Sequence, residues 1–124
     1  MKVLSEYDGS GAFSWINKGI VYAADNGADV INMSLGATFA RNGFYYDEDD
    51  VLQKEPAVYI QNLILAQQRA VNYAFKKGVV IVTSAGNGAS NFDGNASIYK
   101  LPAELQNVIA VSATAPYNLS LIHI

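Results

Sequence analysis

The sequence predicts an α/β fold built on a parallel β-sheet with flanking helices. Short runs of apolar, often β-branched residues alternate with longer segments of helical periodicity along the 124 residues. The later runs are continuously apolar rather than alternating, which is typical of strands covered on both faces. Parallel sheets of this kind bind ligands at the carboxyl ends of their strands. We therefore expect a functional site at that rim of the sheet.

Four apolar runs are the candidate strands. They are residues 1–5 (MKVLS), 29–35 (DVINMSL), 78–84 (GVVIVTS) and 107–113 (NVIAVSA). Each is four to eight residues long, about the length of an ordinary strand. The segments between them are long enough to hold the helical crossovers that parallel strands require.

Two segments have helical periodicity. The first follows the first run, and its apolar residues at helical spacing are Phe13, Ile16, Ile20, Val21 and Ala24. Gly27 is placed to end that helix. The second segment carries a longer stripe, which we expect to be core: Ile60, Leu63, Ile64, Gln67, Val71, Ala74 and Phe75. Lys76, Lys77 and Gly78 supply a favourable end for it.

Two further stretches fit neither periodicity. Residues 37–57 are polar, aromatic and acidic, and we expect a surface insertion there. Residues 85–102 are rich in Gly, Asn and Ser and form the second expected long loop. A rigid sheet can position such loops, and loops often carry function.

The bulk composition excludes several classes of partner. The sequence has eleven acidic and eight basic residues, which give a formal net charge of −3, and it contains no basic cluster. We therefore expect neither a nucleic-acid nor a membrane partner. No apolar stretch approaches the roughly 20 residues of a membrane span, and MKVLSEYDG lacks the apolar region of a signal peptide. The absence of cysteine excludes disulfides and thiolate chemistry.

Three segments follow the first three predicted strands and are expected on one rim: DGSGAF, SLGA and SAGNG. Their small residues expose backbone groups with which an extended peptide could pair. Asn87 is the polar side chain between two glycines in the third segment. Its amide is a suitable donor to an oxygen that gains negative charge during acyl transfer. The alternative that Asn87 only stabilises a turn between glycines stays open.

Three ordered segments together resemble the subtilisin-like serine peptidases, or subtilases. They are KVL…DGSGAFSWINKGIVYAADNGADVINMSLG, GVVIVTSAGN and LPAELQNVIAVSAT, and the resemblance covers nearly all of residues 2–115 except the insertion. It implies a subtilisin-like three-layer α/β/α fold, incomplete in this chain, and serine-type endopeptidase activity on peptides or proteins. It also implies catalysis without a cofactor and a secreted or extracytoplasmic full-length protein. A structural calcium ion is common in the family, but no ligand for it can be placed here.

The resemblance assigns roles to single residues. Asn87 matches the asparagine of the oxyanion hole. The edge that pairs with the substrate backbone corresponds to Asp8, Gly9, Ser10 and Gly11. A distal apolar subsite corresponds to Phe13, Trp15 and Ile16. The opposite edge, with Leu35 separating subsites, corresponds to Ser34, Leu35 and Gly36. The wall of the primary specificity pocket corresponds to Ser84, Ala85 and Gly86. Pro102 occupies the position of a frequent cis-proline, and Ala37 departs from the commonest second glycine.

The catalytic triad of the family does not match this sequence. The family places Asp and His upstream of KVL and the nucleophile, within Gly-Thr-Ser-Met-Ala, downstream of VIAVSA, and none of these motifs occurs here. The resemblance therefore implies that residues 1–118 are part of a peptidase catalytic domain, with cleft and oxyanion donor, inactive alone. His123 is not expected to act as the base, because nothing in NLSLIHI would orient it.

Residues 119–124 (LSLIHI) have a separate interpretation. The DNA string CTG TCT CTT ATA CAC ATC encodes them and resembles the transposase mosaic end used in sequencing-library preparation. We expect a non-native, adapter-derived tail, with a natural amphipathic C-terminus as the alternative.

Two other interpretations of the whole chain stay open. One is a noncatalytic peptide-binding module. The other is a nucleotide-binding domain, because Gly9-x-Gly11-x-x-Ser14 imitates a dinucleotide fingerprint, although Asp29 begins the second strand instead of ending it. The acidic DEDD, residues 47–50, is expected to be a solvated loop rather than a calcium site.

Overall fold

The computed structural model describes residues 3–46, 49–87 and 97–113. The helices of this part are α1 (Phe13–Asp25) and α2 (Ala57–Lys76). Its strands are β1 (Val30–Met33), β2 (Ala37–Ala40), β3 (Phe44–Tyr46), β4 (Leu52–Lys54), β5 (Val80–Ser84), β6 (Ile98–Leu101) and β7 (Ile109–Val111).

Three of the four predicted strands form one parallel sheet in the order β1-β5-β7. Val30 is paired with Val80, and Val82 with Ile109. The predicted α/β class, a parallel sheet with flanking helices, is confirmed. The carboxyl ends of β1 and β5 lie side by side at one rim.

The prediction of a fourth strand at residues 1–5 is wrong for residues 3–5, which are the described part of that segment. Residues 3–5 are not in a strand, and residues 1 and 2 lie outside the described residues. The backbone closes a local turn instead, since Ser5 N donates to Ser10 O at 2.7 Å and Gly9 N donates to Ser5 O at 3.2 Å. Gly9 has a φ of +69°, which a glycine adopts without strain.

Both predicted helices are confirmed, with their glycine ends. Gly27 has a φ of +78°, and Ala28 N donates to Ala23 O at 3.1 Å. Gly78 has a φ of +85° at the end of α2. These left-handed glycines let the chain turn back and satisfy the last carbonyls of each helix.

The two stretches expected to be irregular contain strands. The insertion includes the antiparallel hairpin of β3 and β4. It also includes β2, which pairs antiparallel with β6 of the second stretch. The expectation failed because β2 is stabilised by a partner strand about sixty residues later in the chain, and such pairings leave little trace in local sequence. β3 and β4 are exposed throughout.

The core lies between the helices and one face of the β1-β5-β7 sheet. We name this the covered face; Met33 and Ile81 of the sheet join Ile20, Val71 and Ala74 of the helices there. The opposite, uncovered face carries apolar side chains that stay solvent-accessible: Val30, Val80, Ile109 and Val111 are 44–58% exposed. Phe75, which the sequence analysis expected in the core stripe of α2, is 53% exposed. It lies outside the side of α2 that packs against α1 and the sheet.

Candidate functional site

The rim of the sheet brings two loop segments together. Met33 and Thr83 are register partners at the ends of β1 and β5. The buried Thr83 hydroxyl donates to the Met33 carbonyl oxygen at 3.0 Å, which locks the two strand ends to each other. Residues 34–36 and 85–87 therefore leave the sheet as neighbours, as the sequence predicts.

A first depression, the Asn87 hollow, lies between these segments. Its cavity volume is about 300 Å³. It is lined by residues 34–38 and 84–87, with Lys100, Leu101 and Ala103. Asn87 is exposed at its edge. The hollow thus brings together Asn87, the predicted substrate-pairing edge at residues 34–36 and the predicted pocket wall at residues 84–86.

A second depression, the Phe13 hollow, lies on the other side of residues 35–37. Its cavity volume is about 240 Å³, and its lining includes Leu4, residues 9–11, Phe13, Ile16 and residues 35–37. Phe13 packs against Phe39, with ring centroids 5.6 Å apart. Because both hollows share Leu35, Gly36 and Ala37, these residues form a rib between them.

Two glycines are required by the backbone geometry around the Asn87 hollow. A Cβ added to Gly36 would lie 2.8 Å from the Leu101 carbonyl oxygen, so a larger residue would push β6 away. Gly86 has a φ of +95°, which L-residues rarely adopt. The Leu101–Pro102 peptide bond is cis, as predicted for Pro102.

Most of the predicted site residues line one of the two hollows. These are Gly9, Ser10, Gly11, Phe13, Ile16, Ser34, Leu35, Gly36, Ser84, Ala85, Gly86 and Asn87. Asp8 and Trp15 line neither. Trp15 is 53% exposed on α1.

Asp8 has a local structural contact instead. Its carboxylate accepts a hydrogen bond from Ser10 N at 2.9 Å. This backbone hydrogen bond lowers the pKa of Asp8 below its ordinary value, with smaller contributions from the Ser10 and Ser5 hydroxyls. Asp8 therefore stabilises the turn that presents residues 9–11.

Sequence reasoning missed four residues of the Asn87 hollow: Thr38 of β2, Lys100 and Leu101 of β6, and Ala103, which follows β6. Lys100 is the notable case, because it is only 4% exposed. A signal was available: Lys100 interrupts an otherwise apolar run, IYKLP, whereas lysine is seldom fully buried without a function or a partner.

The described residues give little support for a metal-binding or a nucleotide-binding site. Within residues 3–46, 49–87 and 97–113, no group of three or more His, Cys, Asp or Glu side chains could hold a metal ion. Asp47 and Glu48 of the acidic segment lie outside the described residues, as do His123 and the 119–124 tail. The dinucleotide fingerprint requires a preceding strand, and residues 3–5 are not one. In the same described part of the chain, no helix has the length and hydropathy needed to cross a membrane.

Comparison with known families assigns the chain to a family. A profile described as the Subtilase family matches residues 1–120. The chain belongs to the subtilase family. The subtilase assignment agrees with the resemblance seen in the sequence.

Individual subtilases agree with the profile. The chain is 39% identical to thermitase of Thermoactinomyces vulgaris, over 86% of this chain and 28% of that protein. It is 36% identical to subtilisin DY of Bacillus licheniformis, over 91% of this chain and 32% of that protein. The crystal structure of a lanthipeptide protease covers 98% of this chain and 32% of its own, with a TM-score of 0.75 and 30% identity. This subtilase chain therefore spans about a third or less of the length of these relatives.

Proposed function

We propose that the full-length protein is a serine-type endopeptidase and that this chain contributes its substrate cleft and its oxyanion donor. The observation that carries the proposal is the position of Asn87 at the carboxyl end of β5, in one hollow with residues 34–38. An amide donor at such a rim can stabilise the negative oxygen of a tetrahedral intermediate. Membership of the subtilase family supports this chemistry.

The two hollows and their rib suit an extended peptide. Successive side chains of an extended strand point to opposite sides, so a peptide crossing the rib can place different side chains in different hollows. We assign the Asn87 hollow to the primary specificity pocket and the Phe13 hollow to the distal apolar subsite. The backbone of residues 9–11 and 34–36 would supply the two edges, since small residues leave it accessible. The partner is therefore a peptide or protein.

The triad is assigned to segments outside residues 1–118. The 124 residues contain none of the family's triad motifs, and their one histidine is His123. Under this proposal the chain alone binds peptides without hydrolysing them. The full-length enzyme acts without a catalytic cofactor and outside the cytoplasm, and residues 119–124 are adapter-derived.

The test is replacement of Asn87 by Ala in the full-length protein recovered from the source gene. Removing one oxyanion-hole donor costs about 10²–10³ in kcat, so we expect a loss of that size with KM little changed. The matched control is Asn62→Ala, because Asn62 is exposed on α2 away from the rim. Equal activity of both variants would refute the role of Asn87.

Sequencing of the source gene tests the wider proposal. A reading frame that continues past Ala113 into a Gly-Thr-Ser-Met-Ala segment, with Asp and His motifs upstream of Val3, is the expected result. A gene without any triad would leave a peptide-binding module as the function of the rim. Peptide affinity of the chain itself would then be the property to measure.

A further inference from the structure

A third depression, the hairpin hollow, lies beside the Phe13 hollow, and residues of the insertion form most of it. Its cavity volume is about 350 Å³. It is lined by residues 38–40 and 43–45, with Phe13, Glu55, Tyr59, Ile60 and Leu63. Since Phe13 lines both depressions and packs against Phe39, the hairpin hollow continues the row of hollows along the rim.

Aromatic side chains of the hairpin hollow stay accessible to solvent. Phe44 and Tyr45 of β3 are 40% and 45% exposed, and Tyr59 in the first turn of α2 is 52% exposed. Among the described residues that line this hollow, Glu55 is the only charged one. Accessible apolar surface that is gathered in a concave place is typical of binding sites. The hairpin hollow is therefore suited to an apolar group.

The backbone at the base of the hairpin is held by hydrogen bonds. Gly43 N donates to Ala40 O at 2.9 Å, and Glu55 N donates to Gly43 O at 2.8 Å. A Cβ added to Gly43 would collide with the Glu55 carbonyl oxygen, so the chain closes there without room for a side chain. Ala40, at the end of β2, pairs with Ile98 of β6. The fold therefore sets the position of β3 beside β2.

We infer that the hairpin hollow is a further substrate subsite, which binds an aromatic or branched apolar side chain of the same peptide that occupies the other two hollows. The inference rests on the proposed function. The hairpin hollow shares Thr38 with the Asn87 hollow and Phe13 with the Phe13 hollow, so a peptide bound in those two passes its edge. Burial of a large apolar side chain against Phe44 and Tyr59 removes apolar area of both molecules from water. An alanine in the same place is too short to do so.

The experiment uses the full-length protein and internally quenched, alanine-rich peptides in which the residue before the cleaved bond is constant. One Phe is moved through the remaining positions, and mass spectrometry confirms the cleaved bond. At one position we expect kcat/KM to be about 10-fold higher for Phe than for Ala, with a ratio that depends on the hairpin hollow. Phe44→Ala and Tyr59→Ala should both bring this ratio close to one, and Phe44→Tyr should retain it. Tyr46→Ala is the matched control and should leave the ratio unchanged, because Tyr46 belongs to β3 but does not line the hollow.

The ratio is measured on one preparation at a time, so partial misfolding of a variant changes both rates and leaves the ratio intact. Tyr59→Ala repeats the test outside the hairpin, in case the loss of Phe44 unfolds β3. Hydrolysis without a position whose ratio falls in both variants overturns this inference and leaves the proposed function standing, as does an equal fall in Tyr46→Ala. This is also the result expected if another segment of the full-length protein fills the hollow. Hydrolysis of none of the peptides by the wild-type protein overturns the proposed function and this inference together.

Discussion

The covered and uncovered faces of the β1-β5-β7 sheet are built from similar residues in different surroundings. Neighbouring β5 residues illustrate the contrast, since Ile81 is 1% exposed under the helices and Val80 is 44% exposed on the other side. Apolar residues on both faces are typical of a strand covered twice. In this chain, which spans about a third or less of the length of thermitase and of subtilisin DY, the described helices cover one face. The apolar sequence pattern therefore indicates that both faces of the strand can be buried. The packing shows which of the two faces this chain buries.

The largest expected effect is a difference in stability between two substitutions in β5, one on each face of the sheet. Ile81→Ala should lower the free energy of unfolding by about 2–5 kcal/mol, because it removes buried apolar contacts and leaves a cavity. Val80→Ala, on the uncovered face of the same strand, should change it by no more than about 0.5 kcal/mol. Denaturant unfolding of both variants measures the difference. Similar losses at the two positions would mean that the faces are equally buried in solution.

A second prediction sharpens the description of the covered face. Gln67 of α2 is fully buried, and its Oε1 and Nε2 have no hydrogen-bond partner among the described residues. Gln67→Leu should therefore raise the free energy of unfolding by about 1–3 kcal/mol, since the dehydrated amide is removed and the volume is kept. The melting temperature and the denaturant midpoint should both rise.

The adjacent glutamine is the matched control for this prediction. Gln68 Oε1 accepts from Gln106 N at 2.9 Å, and Gln68 Nε2 donates to Gln106 O at 3.0 Å. Gln68→Leu should therefore destabilise the chain by about 1 kcal/mol. A loss of stability in both variants would indicate that Gln67 has polar partners in solution.

The smallest expected effect concerns the side-chain hydrogen bonds that join the ends of α1 and α2. Lys77 Nζ and Tyr73 Oη both donate to Asp25 Oδ1, which joins the ends of α1 and α2. The hydrogen bond from Lys77, followed by the one from Tyr73, lowers the pKa of Asp25 below its ordinary value of 3.8. Since the folded-state pKa is the lower one, this contribution to stability is present above about pH 4 and is lost as the pH falls through the folded-state pKa.

Thermal melts of wild-type and Asp25→Asn protein at several pH values test this link. The variant should melt slightly below the wild type at pH 7, and the two melting temperatures should converge under acidic conditions. The pair is exposed, so the difference should also shrink at high salt. A difference that is independent of pH would show that the Asp25 charge does not stabilise the helix ends.

Local sequence patterns determined much of this fold. Apolar spacing located α1 and α2, and Gly27 and Gly78 marked their ends, because helix periodicity and left-handed glycines depend on nearby residues. The runs that became β1, β5 and β7 were equally visible. The glycines on either side of Asn87, after a continuous apolar run, predicted a loop at the rim of the sheet.

Long-range pairing and burial were decided by the tertiary structure alone. The β2–β6 ladder joins two segments that the sequence analysis expected to be irregular, and it brings Lys100 to the Asn87 hollow. Helices on one face of the sheet make Ile81 core and leave Val80 exposed, although both are β-branched residues of one strand. A sequence pattern records which surfaces a segment is able to bury, whereas which surface is buried depends on partners that the chain meets only on folding.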